Sequence, residues 1–330
     1  MGIRGLGSWI KWTANHTIQK PNWPDWKEKT IGIDILGLLY NAKSNRQCPF
    51  QYLGKLIISC KQLNIQIIPI FDGKPPIEKH EVIQQRSTMR ASNQEKKDSL
   101  TNDLAESEVS DVHRKVIESE IQKLDSKSIY LTSEEREKAK QLFYACGILS
   151  LNASGEADNA LAYFAKRGVF QAVISNDFDL LARGVEILLV PDMNALPGEL
   201  SGWSQYSLSN ILKAVNFQYE QFVEMSVLMG CDYTPSKKSM PYKSAFWSIK
   251  YRGPIEQILH ANNIRDISKY KKAIDILRGL YETKESLMGE KQWTKLSGGS
   301  PKKEVEALTE FRSSILKALT EEEFAFLLTC

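Results

Sequence analysis

Short apolar runs with strand character recur along the chain and stop at acidic residues. Thr30–Ile33 leads into Asp34, Ile65–Phe71 into Asp72, and Ala172–Asn176 into Asp177 and Asp179. A further strand, Val185–Val190, ends without a carboxylate, and Ile148–Leu151 reads as a short buried strand. Helical patterns fill the intervals. They predict a helix over 35–43, one over Glu134–Cys146 opened by the capping-box pair Thr132 and Glu135, and one carrying Glu156 and Asp158 with Ser154 as its cap. Two helices are expected over 206–230, with Phe222, Met225, Ser226 and Met229 on one face, and a closing helix over Thr320–Leu328. β-Branched strands alternating with helices predict an α/β fold: a central, mainly parallel sheet flanked by helices. Ligands of such sheets bind outside the carboxyl ends of the strands. Three strands ending in Asp therefore point to one acidic crevice.

A polar segment, 77–128, interrupts this alternation. It lacks Gly and Pro, and its charge changes sign: six Lys/Arg against three Glu over 74–97, then eight Asp/Glu against three basic residues over 98–125. Solvated helices are expected there, too polar to be core. The chain divides into body regions 1–97 and 129–232, a helical arch or linker over 98–128, and a helical C-terminal region over 233–330. Ser297–Pro301 is the clearest flexible linker.

Composition narrows the classes. The chain has 330 residues, 42% hydrophobic and 25% charged, enough for a sizeable core. Lys and Arg number 43 and Asp and Glu 40, a net charge of +3. That excludes a histone-like polycation and leaves segregated charge open. Residues 233–272 hold nine basic and two acidic residues. Five scattered cysteines without a C-x-x-C pair exclude a zinc ribbon, and the odd count reads as a reduced, intracellular chain. No signal core, myristoylation pattern, membrane-length apolar run, paired-histidine motif or P-loop is present.

The candidate chemistry rests on Asp34, Asp72, Glu156, Asp158, Asp177, Asp179 and Asp232. Helix capping explains one acid per element, as at Asp34, and not the pair Asp177-x-Asp179. Clustered carboxylates repel unless a cation sits among them. Oxygen ligands without His or Cys suit magnesium or manganese. Two such ions can clamp an in-line phosphodiester hydrolysis. Glu156 and Asp158 lie about 200° apart on a regular helix, so they converge at a first turn or one acts through water.

Met1–Leu6, Phe71–Pro76, Gly155–Asp158, Asp177–Asp179 and Leu228–Tyr233 together identify a resemblance to the flap endonuclease/XPG family of structure-specific 5′ nucleases, in consistent order from Met1 to about residue 260. The resemblance implies a PIN-like 5′-nuclease fold with a helical arch and a C-terminal helical DNA-binding region. It implies two magnesium ions, replaceable by manganese. Asp34, Asp72, Glu156 and Asp158 surround one, and Asp177, Asp179 and Asp232 the other, with Asp158 shared. Lys79 and Arg86 fall where the family places basic residues near the scissile phosphate; at i, i+7 they share a helix face. Tyr40 matches an aromatic that stacks on a base beside the cut, although periodicity alone fits a core ring equally well. Gly2 matches an N-terminus close to the DNA.

Two departures qualify the resemblance. The family's Gly-x-Gly turn, which binds duplex DNA with a potassium ion, aligns with Ser239–Ala245, where both glycines are absent. That argues against the potassium site and leaves Lys237, Lys238 and Lys243, with Lys250 and Arg252, as phosphate contacts. A sliding-clamp-binding peptide is not found after Gln292. The expected partner is branched or nicked DNA with a 5′ single strand, handled by a monomer. The expected location is the nucleus or another replication site, cytoplasmic if the source is viral. The alternatives are an exonuclease or Holliday-junction enzyme of the same superfamily, or a non-catalytic nucleic-acid-binding relative.

Overall fold

Five parallel strands and one antiparallel edge strand form a single sheet in the order β3-β2-β1-β4-β5-β6. The strands are β1 (Thr30–Asp34), β2 (Gln66–Phe71), β3 (Leu151–Asn152), β4 (Ala172–Ile174), β5 (Ile187–Val190) and β6 (Ser204–Ser207). A computed structural model describes residues 2–76, 79–106, 111–192, 200–234 and 239–280. The closing helix, the 297–301 linker, Lys237 and Lys238 lie outside the described residues.

β1 is the hub. Ile31, Gly32 and Ile33 pair with Ile67, Ile68 and Pro69 on one side and with Ala172, Val173 and Ile174 on the other. The strand order reverses between β1 and β4, the point where doubly wound sheets open a crevice.

The helices are α1 (Leu6–Thr13), α2 (Ile35–Ser44), α3 (Pro49–Gln62), α4 (His80–Glu106), α5 (Asp111–Ser128), α6 (Ser133–Ala145), α7 (Ala157–Lys166), α8 (Asp179–Ala182), α9 (Leu208–Val215), α10 (Tyr219–Met229), α11 (Tyr242–Arg252), α12 (Ile255–Ala261) and α13 (Ser268–Arg278). One sheet face is covered by α2, α3 and α6, with Leu38, Leu53, Leu56, Phe143 and Ile33 in its core. The other is covered by α1, α7, α9, α10 and α11, around Trp9, Leu161, Phe164, Phe222 and Phe246. Parallel strands buried on both faces account for the continuous β-branched runs. Phe222, Met225, Ser226 and Met229 are all buried on α10, as their spacing requires.

α4 and α5 form the expected polar helical excursion. α4 runs unbroken from His80 through residue 97 to Glu106, and Lys97 bridges to Asp125 of α5 at 2.5 Å. No helix among the described residues is long and apolar enough to cross a membrane.

Several local expectations are corrected. Ser154 does not cap the helix carrying Asp158; that helix begins at Ala157 with Glu156 at its N-cap, and a carboxylate from another strand takes the first N–H. β5 begins at Ile187 rather than Val185, and the third strand is Leu151–Asn152, displaced toward the C-terminus. β6 has no apolar run to announce it. Cys60, Cys146 and Cys231 are free thiols.

Candidate active site

The crevice is built from three adjacent strand ends. At the end of β1, Asp34 is buried. Its Oδ1 accepts the Gly37 N–H at 3.1 Å, capping α2, and its Oδ2 accepts the Ser175 hydroxyl at 2.8 Å. Burial, then the neighbouring Asp72, push its carboxyl up to about 6 against these two hydrogen bonds.

Beyond β2, Asp72 accepts the Ala157 N–H at 2.6 Å, tying the strand end to the first turn of α7. The next residue fixes this approach. Gly73 donates its N–H to Gly155 O at 2.7 Å, and a Cβ on Gly73 would stand 2.1 Å from the Ala153 carbonyl oxygen. Only glycine admits the two loop backbones at that distance. The surrounding protein raises the Asp72 carboxyl above its ordinary range, although the residue itself faces solvent at the crevice mouth.

Beyond β4 the chain turns sharply. The Asp177 N–H donates to Ser175 Oγ at 3.0 Å, and the Asp179 N–H donates to Asp177 Oδ1 at 2.9 Å. Asp179 opens α8 and accepts the Ile3 N–H at 2.5 Å, which draws the N-terminal segment into the crevice. Burial raises the carboxyl of Asp179 well above the ordinary range, with Asp177 the next cause. Asp158, in the first turn of α7, is raised in the same way, by burial and then by Asp177 and Asp34. Asp34, Asp72, Asp158, Asp177 and Asp179 therefore form an inner group whose members chiefly face one another.

Glu156 and Asp232 form a second, outer group already matched by cations. Lys79 Nζ lies 2.5 Å from Glu156 Oε1 and 3.3 Å from Asp232 Oδ2. Arg86 donates through one nitrogen to both Asp232 oxygens, at 2.9 and 3.0 Å. Burial would lower the Lys79 ammonium, but Tyr233, Glu156 and Asp232 hold it above its ordinary value. Lys79, just before α4, and Arg86, in its second turn, thus reach the outer group together.

Arg183 was not singled out by the sequence reading. It is 2% exposed, directly beneath the outer group. It donates to Asn159 Oδ1 and, at 2.9 Å, to the Tyr233 hydroxyl, and Tyr233 in turn donates to Glu156 Oε2. A buried guanidinium is tolerated only beside anions; Glu156 Oε2 is 3.7 Å away, and Asp158 and Asp179 also act on it. The one available signal was an arginine closing the apolar run Leu180–Ala182.

The remaining candidates lie on α2, on α11 and in the N-terminal segment. Tyr40 is half-buried on α2, one side packed against the core of that face. Lys243 is exposed on α11, over the Trp12 ring. Where the Gly-x-Gly turn was sought, Ser239 Oγ accepts from Arg4 and the Met240 N–H bonds Leu228 O at 2.8 Å. Gly2 lies against Asp179 and Asp177.

The donor set fits a hard divalent cation: five oxygen ligands turned on one another, with no imidazole or thiolate. Among the described residues, no three of these side chains are yet gathered closely enough to hold an ion as they stand. A doubly wound sheet with carboxylates at three adjacent strand ends has the arrangement that suits metal-dependent phosphodiester hydrolysis.

Comparison with known proteins narrows that class. Residues 147–232 match the XPG I-region, a span that holds Glu156, Asp158, Asp177, Asp179 and Asp232. The chain is similar to flap endonuclease 1 of Brugia malayi, 32% identical over 277 residues, covering 80% of this chain and 70% of that protein. Its fold is similar to flap endonuclease-1 from Methanococcus jannaschii, with TM-score 0.59, 18% identity and 99% of each chain covered. The catalytic core of Rad2 in complex with DNA substrate aligns with TM-score 0.56 at 16% identity, again over 99% of each chain. The chain belongs to the flap endonuclease/XPG family, and it is a structure-specific nuclease. The nucleases of this family are metal-dependent.

Proposed function

We propose that the chain is a magnesium-dependent 5′ flap endonuclease with 5′–3′ exonuclease capacity, acting on branched or nicked DNA in replication and repair. The inner group of carboxylates beneath two arch-root cations carries this reading. Asp34, Asp72, Asp158, Asp177 and Asp179 would hold two magnesium ions, or manganese in their place, with Glu156 and Asp232 completing the set. Such ions supply an activated water and charge stabilisation at the scissile phosphate.

The remaining work belongs to the chain's own side chains. Lys79 and Arg86 rest on Glu156 and Asp232, and both reach the space a phosphate would enter beneath α4. Their charge would bear on the phosphate as it becomes more negative. Gly2 would leave DNA room to approach Asp179, since a Cβ there would stand 2.1 Å from that carboxylate. Lys243, on the basic stretch after Asp232, would contact duplex phosphates. Hydrolysis would leave a 5′-phosphate and a 3′-hydroxyl. We place the activity in a monomer at an intracellular site of DNA replication, without a potassium-assisted duplex contact.

A panel of flap, nicked, gapped and four-way-junction substrates tests the reading. With magnesium, a single incision near the base of the flap is expected, and Asp179→Ala should abolish it while DNA binding persists. Preferred cutting of the four-way junction would overturn the flap assignment, and turnover by the variant would overturn the site.

A further inference from the structure

We propose that the outer face shared by α1 and α11 is a second nucleic-acid site that stacks the unpaired bases of a single strand. The residues are Trp12, Trp247 and Tyr251, flanked by Lys243 and Lys250. Trp12 is 41% exposed, Trp247 44% and Tyr251 74%. Single exposed rings are ordinary, but three that touch one another form a contiguous aromatic patch, which marks an interaction site. The choice of DNA as ligand rests on the nuclease reading; the geometry of the site does not.

The arrangement is ordered. Trp247 and Tyr251 stand one helical turn apart with their rings stacked, 5.3 Å between centroids and 8° between planes. Trp12 meets the Trp247 ring edge-on at 6.3 Å. Beneath them Phe246 is buried and anchors the cluster to the core, 4.8 Å from the Trp247 ring and 5.9 Å from Trp12. The stack is thus set on a rigid base, with the 74%-exposed Tyr251 ring as its open end. A base can extend it as a further ring.

The charge is of one sign. Lys243 lies 5.1 Å from the Trp12 ring and Lys250 5.8 Å from the Trp247 ring. Neither α1 nor α11 contains a single Asp or Glu, and α11 ends with Arg252. Flat aromatic faces bordered by cations alone complement bases and their phosphates. Bases inside a duplex hide their faces, so the ligand is an unpaired strand.

The platform is connected to the crevice but lies apart from it. α1 follows directly from Gly2 and Ile3 at Asp179. Tyr242, at the start of α11, packs on Gly5, where a Cβ would lie 3.3 Å from its ring. Tyr251 is nine residues farther along, roughly 13 Å at helical rise. A strand on this face would therefore leave the junction along the α1/α11 side rather than through the arch.

The test uses the full chain with EDTA present and two labelled strands of equal length, an oligothymidine of about twenty nucleotides and its abasic counterpart, read by fluorescence anisotropy. The double variant Trp247→Ala/Tyr251→Ala should bind oligothymidine about tenfold or more weakly, as expected for lost stacking on bases. Its binding to the abasic strand should stay unchanged. Trp247→Phe/Tyr251→Phe should retain oligothymidine binding, and its melting curve should match the parent's. Equal oligothymidine affinity for parent and alanine variant overturns the proposal, and so does an equal loss on both strands. A parent that sediments as a dimer, with an alanine variant that is monomeric and binds oligothymidine normally, would make the face a protein interface instead. Flap cleavage by the unaltered chain separately reports the nuclease reading, so failure of one is distinguishable from failure of the other.

Discussion

A Cβ placed on Gly2 would stand 2.1 Å from Oδ1 of Asp179, the oxygen that also accepts the Ile3 N–H. The second residue of the chain and a crevice carboxylate therefore occupy one fitted space. Gly2→Ala must displace either the N-terminal segment or Asp179. A misplacement of about 1 Å can cost on the order of 100-fold in rate. Single-turnover flap cleavage should fall by that order while the melting temperature stays near the parent's; an unchanged rate would show that the fit has no catalytic consequence.

Lys79 and Arg86 bridge the outer carboxylates from the arch root. Replacing either with Ala should slow cleavage by roughly 100- to 1,000-fold, the scale for losing one preorganised charge contact. Duplex affinity should change only a few-fold. Loss concentrated in binding, with the chemical step intact, would instead make them general phosphate contacts.

The inner carboxylates repel one another, so cations should stabilise the folded chain. Magnesium at about 100 times its dissociation constant would add roughly 2.7 kcal/mol, visible as a rising melting temperature. Asp158→Asn should make the metal-free chain more stable, because it removes one partner of that repulsion, and should shrink the magnesium increment. A variant that loses stability without metal and keeps the full increment would contradict the placement of Asp158.

Arg183 is the buried counter-charge of the same cluster. Arg183→Met should cost on the order of 3–5 kcal/mol, as for a buried ion pair broken on one side. Arg183→Lys should recover little of this, since an ammonium cannot serve Asn159 and Tyr233 together as the planar fork does. Added magnesium should narrow the deficit of Arg183→Met relative to the parent. A deficit indifferent to magnesium would assign Arg183 to packing alone.

Glu135 closes the capping box of α6 and pairs with Lys43 at 2.7 Å. These hydrogen bonds outweigh burial and hold its carboxyl below the usual glutamate value. A depressed carboxylate contributes stability above its unfolded pKa and loses it as pH falls through the folded one. Glu135→Gln keeps the box but not the charge, so it should cost about 0.2–1 kcal/mol near neutrality. Denaturant titrations should show this gap closing in acid; a gap that widens there would reverse the sign argued for the pair.

The fold was legible where local chemistry decides it. β1 and β2 end where their apolar runs meet Asp34 and Asp72, and the α6 cap is written in Thr132 and Glu135. β6 was not legible, because Ser204-Gln205-Tyr206-Ser207 becomes a strand only through its pairing with β5. The cap of α7 was misassigned to Ser154 because Asp72 arrives from 85 positions away to take the Ala157 N–H. Glu156 and Asp158 sit at the N-cap and first turn of α7, yet they do not converge: Glu156 faces Lys79 and Asp158 lies nearest Asp177 and Asp34. Arg183 escaped because its partners Asn159 and Tyr233 lie 24 and 50 positions away, on other elements. Tyr40 shows the opposite limit, since its helical spacing fitted core and stacking roles alike.

The pairing of β1 with its two neighbours has a consequence for how such a site diverges. Asp34 is level with Ile70 of β2, two residues before Asp72, and Ile33 is level with Ile174 of β4, three residues before Asp177. Neighbouring strands lie about 4.8 Å apart whatever their side chains. The interval between these carboxylates is thus metered by peptide hydrogen bonds, which every sequence possesses. A chain can therefore diverge to 18% identity with a relative of the same fold while its backbone keeps that gauge.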